Sequence, residues 1–153
     1  MNSGNTIKAL MILHKALLVG QIIFAGVSFF LVYVKTQPSP MEELDRTLQV
    51  VAIVLSAGGF FAGTSLFKKK LLQLRDMQIS VKEKLGLYRS ACIIQWALIE
   101  GPCLVTIICF FLTGNYAFLA LTAVLILLFA MTAPSKAKIA LQLGLSEAEL
   151  EEL

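Results

Sequence analysis

The chain is 153 residues long, 58% hydrophobic and 15% charged, with a formal net charge of +3. Globular domains are about 45–50% apolar and about 25% charged, so this composition excludes a disordered segment, a collagen, a disulfide-framework toxin and most soluble enzymes of this length. It fits a polytopic membrane protein.

A bilayer core takes about 20 apolar residues as a helix. Four stretches reach that length, at about 11–34, 47–67, 90–112 and 116–134, and together they leave no room for a separate soluble domain. Their apolar runs, such as 119–130, do not alternate as barrel strands do, and helices satisfy their own backbone in lipid. The expected fold is all-α: a single transmembrane four-helix bundle, followed by a helical tail over 135–153.

The first span is too long for a signal-peptide core, and no small-x-small cleavage site follows Val34. It reads as a retained span. Pro38 and Pro40 in the connection over 35–46 stop it. Ser39 or a neighbour caps the next helix, whose first turn carries Glu42, Glu43 and Asp45 near its positive dipole end. In the connection over 68–88, Leu71, Leu74, Val81 and Leu85 keep helical spacing. The second helix therefore runs past its span, with a break near 76–80 or at Gly86. This segment is either a helical hairpin packed on the bundle or a connector lying on headgroups. Gly114-Asn115 is a tight turn that makes the third and fourth spans antiparallel neighbours. Beyond Pro134 the helical pattern of the fourth span continues to Gly144, and Ser146 with Glu149 has capping-box spacing for a last acidic turn. That end is either solubilising or a segment that docks on Lys68–Lys70.

Thirteen Lys and Arg residues divide unevenly. All but Lys35 and Arg46 lie before or at the start of span one, between spans two and three, or after span four. The positive-inside rule then puts both termini in the cytoplasm, in a multi-pass protein of the inner membrane. Because these charges flank spans, they set topology and meet anionic headgroups; nucleic acid is not an expected partner.

The chain also repeats itself. Shifted by 81, residues 8–32 align with 89–113 and share, for example, Ala16/Ala97, Gly20/Gly101 and Phe29/Phe110. Shifted by 68, residues 48–70 align with 116–138 and share Phe61/Phe129, Thr64/Thr132 and Lys68/Lys136. The implied unit is a two-helix hairpin, present twice in tandem.

Glu100 is the one acid inside a span. It lies about 16 Å along the helix from Arg89, near mid-membrane, where a carboxylate costs roughly 2.5–3.5 kcal/mol on insertion scales. It must be protonated, paired or hydrated, either as a functional site or as a lock between helices. Gly101 and Pro102 follow it, and Pro102 loosens the helix by removing a donor and clashing with the carbonyl of Leu98. Gln21 lies at acid depth and is a candidate hydrogen-bond partner. Lys15 and His14 lie four to five repeat positions nearer the basic end, and either could reach Glu100, although Lys15 can instead snorkel to headgroups. Trp96, one turn before Glu100, is a cavity wall or ordinary packing. In span two, Ala52, Ser56, Gly59 and Gly63 form a small-residue face for close packing, either within the chain or between copies.

Cys92, Cys103 and Cys109 share one helix without CxxC spacing and read as small apolar fillers. There is no nucleophile elbow, phosphate loop, metal cluster or cofactor motif, so an enzyme is not expected.

The stretch Tyr88-Arg89, Trp96 to Pro102 and Phe111 to Asn115 resembles small four-span bacterial membrane proteins of no established activity. A duplicated hairpin with one mid-membrane Glu is also similar to the rotor proteolipids of rotary ATPases, a resemblance that implies an ion-carrying role for Glu100. In those proteins the acid sits in the second helix of its hairpin, whereas Glu100 is in the first. The expected function is a structural or accessory membrane subunit with a buried polar site at Glu100, partnered by lipid and by a second copy or another membrane protein. The alternative is a proton- or cation-coupled channel, transporter or rotor component.

Overall fold

A computed structural model describes residues 3–34 and 45–145. These residues form five helices and no strand: α1 (Ser3–Val34), α2 (Asp45–Asp76), α3 (Val81–Thr113), α4 (Tyr116–Met131) and α5 (Lys136–Leu143). The expected caps at Ser39 and Ser146, and the acidic residues Glu42, Glu43 and Glu149, lie outside the described residues.

Three helices, α1, α2 and α3, are long and apolar enough to cross a membrane, and α4 with α5 makes a fourth candidate if the bent pair is one span. Each of α1, α2 and α3 is longer than its apolar stretch, and the excess lies at the basic end. Of the two breaks the sequence allows between α2 and α3, the one over 77–80 forms and Gly86 stays helical. The break is set by Ser80, whose hydroxyl accepts from the Glu83 N–H while the Glu83 carboxylate accepts from the Ser80 N–H, a reciprocal cap. Gly114 ends α3 at φ 69° and Gly144 follows α5 at φ 64°, both left-handed positions that favour glycine.

The tail departs from the expected continuation of span four. The chain turns by 73° between α4 and α5. Pro134 disfavours helical geometry at Ala133, and Ser135 opens a new helix by accepting from the Lys138 N–H at 3.2 Å.

α3 is the axis of the bundle. It packs against α1, α2 and α4, whereas α1 and α2 barely meet. The two halves of the chain are therefore packed unequally: α3 and α4 form a tight hairpin, and α1 and α2 flank it. The core lies in three tiers. At the basic end Ile7, Phe67, Leu85, Phe129 and Ile139 pack together, which brings the start of α1, the end of α2, the start of α3, the end of α4 and all of α5 to one place. Cys103, Ile107 and Leu125 fill the middle. Ala52, Phe110 and Phe118 fill the far end. There Asp45 accepts from Gln49 Nε2 at 3.1 Å and from Asn115 Nδ2 at 2.6 Å, tying the start of α2 to the α3–α4 turn.

Packing of α2 on α3 follows from one local defect. Pro102 inside α3 removes the donor for the Leu98 carbonyl and pushes that carbonyl away. Gly59 lies against it: a Cβ at Gly59 would collide with the Leu98 carbonyl oxygen and stand 2.8 Å from Pro102 Cγ. One turn on, a Cβ at Gly63 would stand 3.2 Å from the Gln95 carbonyl oxygen. The bare backbone of α2 thus covers a carbonyl that lipid would leave unsatisfied, the close approach that small residues permit. Ala52 and Ser56 are buried on the same face.

Candidate functional site

Glu100 is two residues from both Leu98 and Pro102, about 200° around the helix, so it points away from α2 and toward α1. Its side chain is half-buried and joins no ion pair among the described residues. The side chain that faces it is Gln21 of α1. The two interact without closing an aligned hydrogen bond: Gln21 is 1% exposed, and both its amide oxygen and its amide nitrogen lack a partner among the described residues. A buried amide left unpaired costs about 1–3 kcal/mol, so the chain holds an incompletely satisfied polar site between α1 and α3. The Cys103 thiol is also close to the Glu100 carboxylate.

The other residues singled out in the sequence sit elsewhere. Lys15 is exposed on α1 and does not pair with Glu100. His14 is 2% exposed and serves the end of α4 instead. Its Nε2–H donates to the Phe129 carbonyl at 3.1 Å, with Thr132 Oγ1 at 3.3 Å, and the Thr132 hydroxyl donates to the same carbonyl at 2.6 Å. A carbonyl only accepts, so Nε2 carries the proton. The imidazole stacks on Phe129 with centroids 4.6 Å apart and meets Trp96 edge-on at 4.9 Å. Trp96 is buried and packs on His14 and Phe129. Its indole N–H has no acceptor among the described residues.

His14 fits there because the end of α4 bares carbonyls inside the protein, where each needs a donor. Lys138 serves the same helix end, donating from Nζ to the Met131 carbonyl at 3.1 Å and the Ala133 carbonyl at 3.2 Å. Two nitrogen donors thus stand at the negative end of the α4 dipole.

Sequence reading missed the polar line to which Gln21 belongs. His14, Gln21 and Ser28 are all buried and repeat every seventh residue from Ile7, which puts them on one stripe of α1. That spacing was legible. Deeper in the hairpin, the Thr106 and Thr122 hydroxyls meet at 2.8 Å and join α3 to α4. No metal-holding group of His, Cys, Asp and Glu occurs among the described residues.

Comparison with family models, with curated proteins and with solved structures finds no match for this chain. The function is therefore argued from the site itself.

Proposed function

We propose that this chain is a non-enzymatic, multi-pass protein of the cytoplasmic membrane that acts as an accessory subunit, with Glu100 and Gln21 as the polar site that a partner helix completes. The observation that carries this reading is the incomplete site. A lock internal to the chain would satisfy its own groups, whereas here Gln21 faces Glu100 without a well-aligned bond and Glu100 is half-open. In lipid such groups seek a donor or acceptor on another helix. The partner is a second copy or another membrane protein that offers a hydroxyl, amide or basic side chain at mid-depth.

The test combines assembly with flux. In native membranes, Glu100→Gln and Gln21→Leu each shift the cross-linked or native-gel complex toward the monomer, while the purified monomer still melts cooperatively. If both variants keep the complex at its original size, the accessory reading fails.

A second reading has its own observation. The stripe His14, Gln21, Ser28, with Glu100 opposite Gln21, lines polar groups along the bundle axis, as a proton- or cation-coupled channel, transporter or rotor component requires. On this reading Glu100→Gln abolishes a proton or cation flux that the wild-type protein supports in vesicles, and assembly is unaffected.

A further inference from the structure

At the basic end, α2, α3, α4 and α5 enclose a cleft of about 340 Å³, within the roughly 300–1,000 Å³ range of small-ligand sites. It is separate from Glu100, which does not line it. Its inner wall is mainly apolar, with Phe60 and Leu128 deepest along their helices beside the polar Thr64 and Gln95, and its rim holds Lys68, Lys138, Tyr88 and Gln142. Among the described residues, no Asp or Glu lines it.

The rim is cationic and only partly occupied. Lys138 directs its ammonium at two carbonyls of the α4 end, which uses two of its three donors, and it pairs with no acid among the described residues. Lys68 is exposed and has no hydrogen bond or ion pair among the described residues. The Tyr88 hydroxyl donates to Gln142 Oε1 at 2.7 Å, which fixes that amide and leaves its N–H₂ as a further donor. Phe60 lies eight residues before Lys68 on α2, about 12 Å deeper. A cationic rim at headgroup level thus opens onto an apolar trough that runs toward the hydrocarbon.

We propose that this cleft binds one anionic phospholipid, with its phosphate on Lys68 and Lys138 and an acyl chain along Phe60 and Leu128. The charge selects the anion, since basic pockets between membrane helices on the positively charged side hold anionic headgroups. The apolar wall selects an amphiphile over a free anion. The proposal rests on the membrane reading of the chain but not on the role given to Glu100.

The test uses the full chain purified in neutral detergent, with native mass spectrometry reading lipid retained as phosphatidylglycerol, phosphatidylcholine or inorganic phosphate is titrated. Expected is one retained phosphatidylglycerol, displaced by neither phosphatidylcholine nor phosphate at equal concentration. Lys68→Gln weakens retention about fivefold, as loss of one lysine near an anionic headgroup predicts. Thr64→Trp, which fills the cleft from its α2 side, abolishes retention while the protein still melts cooperatively. Lys69→Gln, on an exposed lysine outside the cleft, leaves retention unchanged. Equal retention of the two lipids overturns the proposal, as does displacement by phosphate or an equal loss in the Lys68 and Lys69 variants. A chain that remains soluble without detergent removes the membrane reading itself, a separate outcome.

Discussion

Gln21 and His14 are both buried polar residues of α1, and their surroundings give them opposite energetic signs. The Gln21 amide has lost water and faces Glu100 without a well-aligned bond, so Gln21→Leu in the isolated chain is neutral or stabilising, by up to about 1–3 kcal/mol. Thermal melting in detergent checks this, and a clear drop in Tm contradicts it. His14 supplies a donor to the Phe129 carbonyl and fills space between two aromatic rings. His14→Ala removes both and costs about 2–4 kcal/mol, most of it from the cavity, read as a lower Tm in the same assay. The acid at mid-depth was visible in the sequence because charge inside a span is rare. Its nearness to Gln21 was visible as shared depth in the aligned repeat. The true environment of His14 was not. Sequence reading ties a lone histidine to the nearest acid, but the end of α4 at Pro134 bares carbonyls that need a donor at that height, and only the folded elbow brings them there.

At the scale of elements, the α2–α3 contact is a fit between a proline defect and a bare glycine. Gly59→Ala drives a methyl group into the Leu98 carbonyl and the Pro102 ring, neither of which can rotate away. The expected cost is about 1–3 kcal/mol. Gly58→Ala, with nothing near its added Cβ, is the control and gains about 0.5–1 kcal/mol of helix stability. Equal melting temperatures for the two variants would show that α2 does not seat on α3 as described. A smaller effect is expected at α5, whose last carbonyls take charge-assisted bonds from Arg75: Nε donates to Gln142 at 2.7 Å and Nη2 to Leu141 at 3.1 Å. Arg75→Ala frees that helix end and speeds amide hydrogen exchange over 139–143 severalfold, with little change in global Tm because the pair is exposed. The helices, the break before Val81, the turn at Gly114 and the stop at Gly144 were all readable from hydropathy, caps and glycine. The packing order was not. A repeat of two hairpins suggests two equivalent pairs, yet among the described helices only α3 carries a proline inside its helix, and the bare face of α2 seats on that defect while α1 and α4 pack on its other sides, so α3 becomes the axis.

For the whole molecule, the best-packed tier and most of the cations coincide at one end. The core tier that joins Ile7, Phe67, Leu85, Phe129 and Ile139 lies at the end where Lys8, Lys68–Lys70, Arg75, Lys82, Arg89 and Lys136 are exposed. Among the described residues, the far end carries only Arg46 as a cation, close in sequence to Asp45. Moving this many cations across a membrane against its potential costs about 2.3 kcal/mol per charge per 100 mV, so the proposed membrane placement predicts the basic end inward. In right-side-out cells, an impermeant amine reagent therefore leaves Lys8 and Lys136 unmodified, and both react in inverted vesicles. A single cysteine placed at Asn115, in a background with Cys92, Cys103 and Cys109 replaced by Ala, shows the opposite pattern. The two reporters must give opposite answers. Labelling of Lys8 from outside reverses the orientation, and labelling of Lys8 and position 115 from the same side removes the spanning arrangement of α1, α2 and α3 altogether.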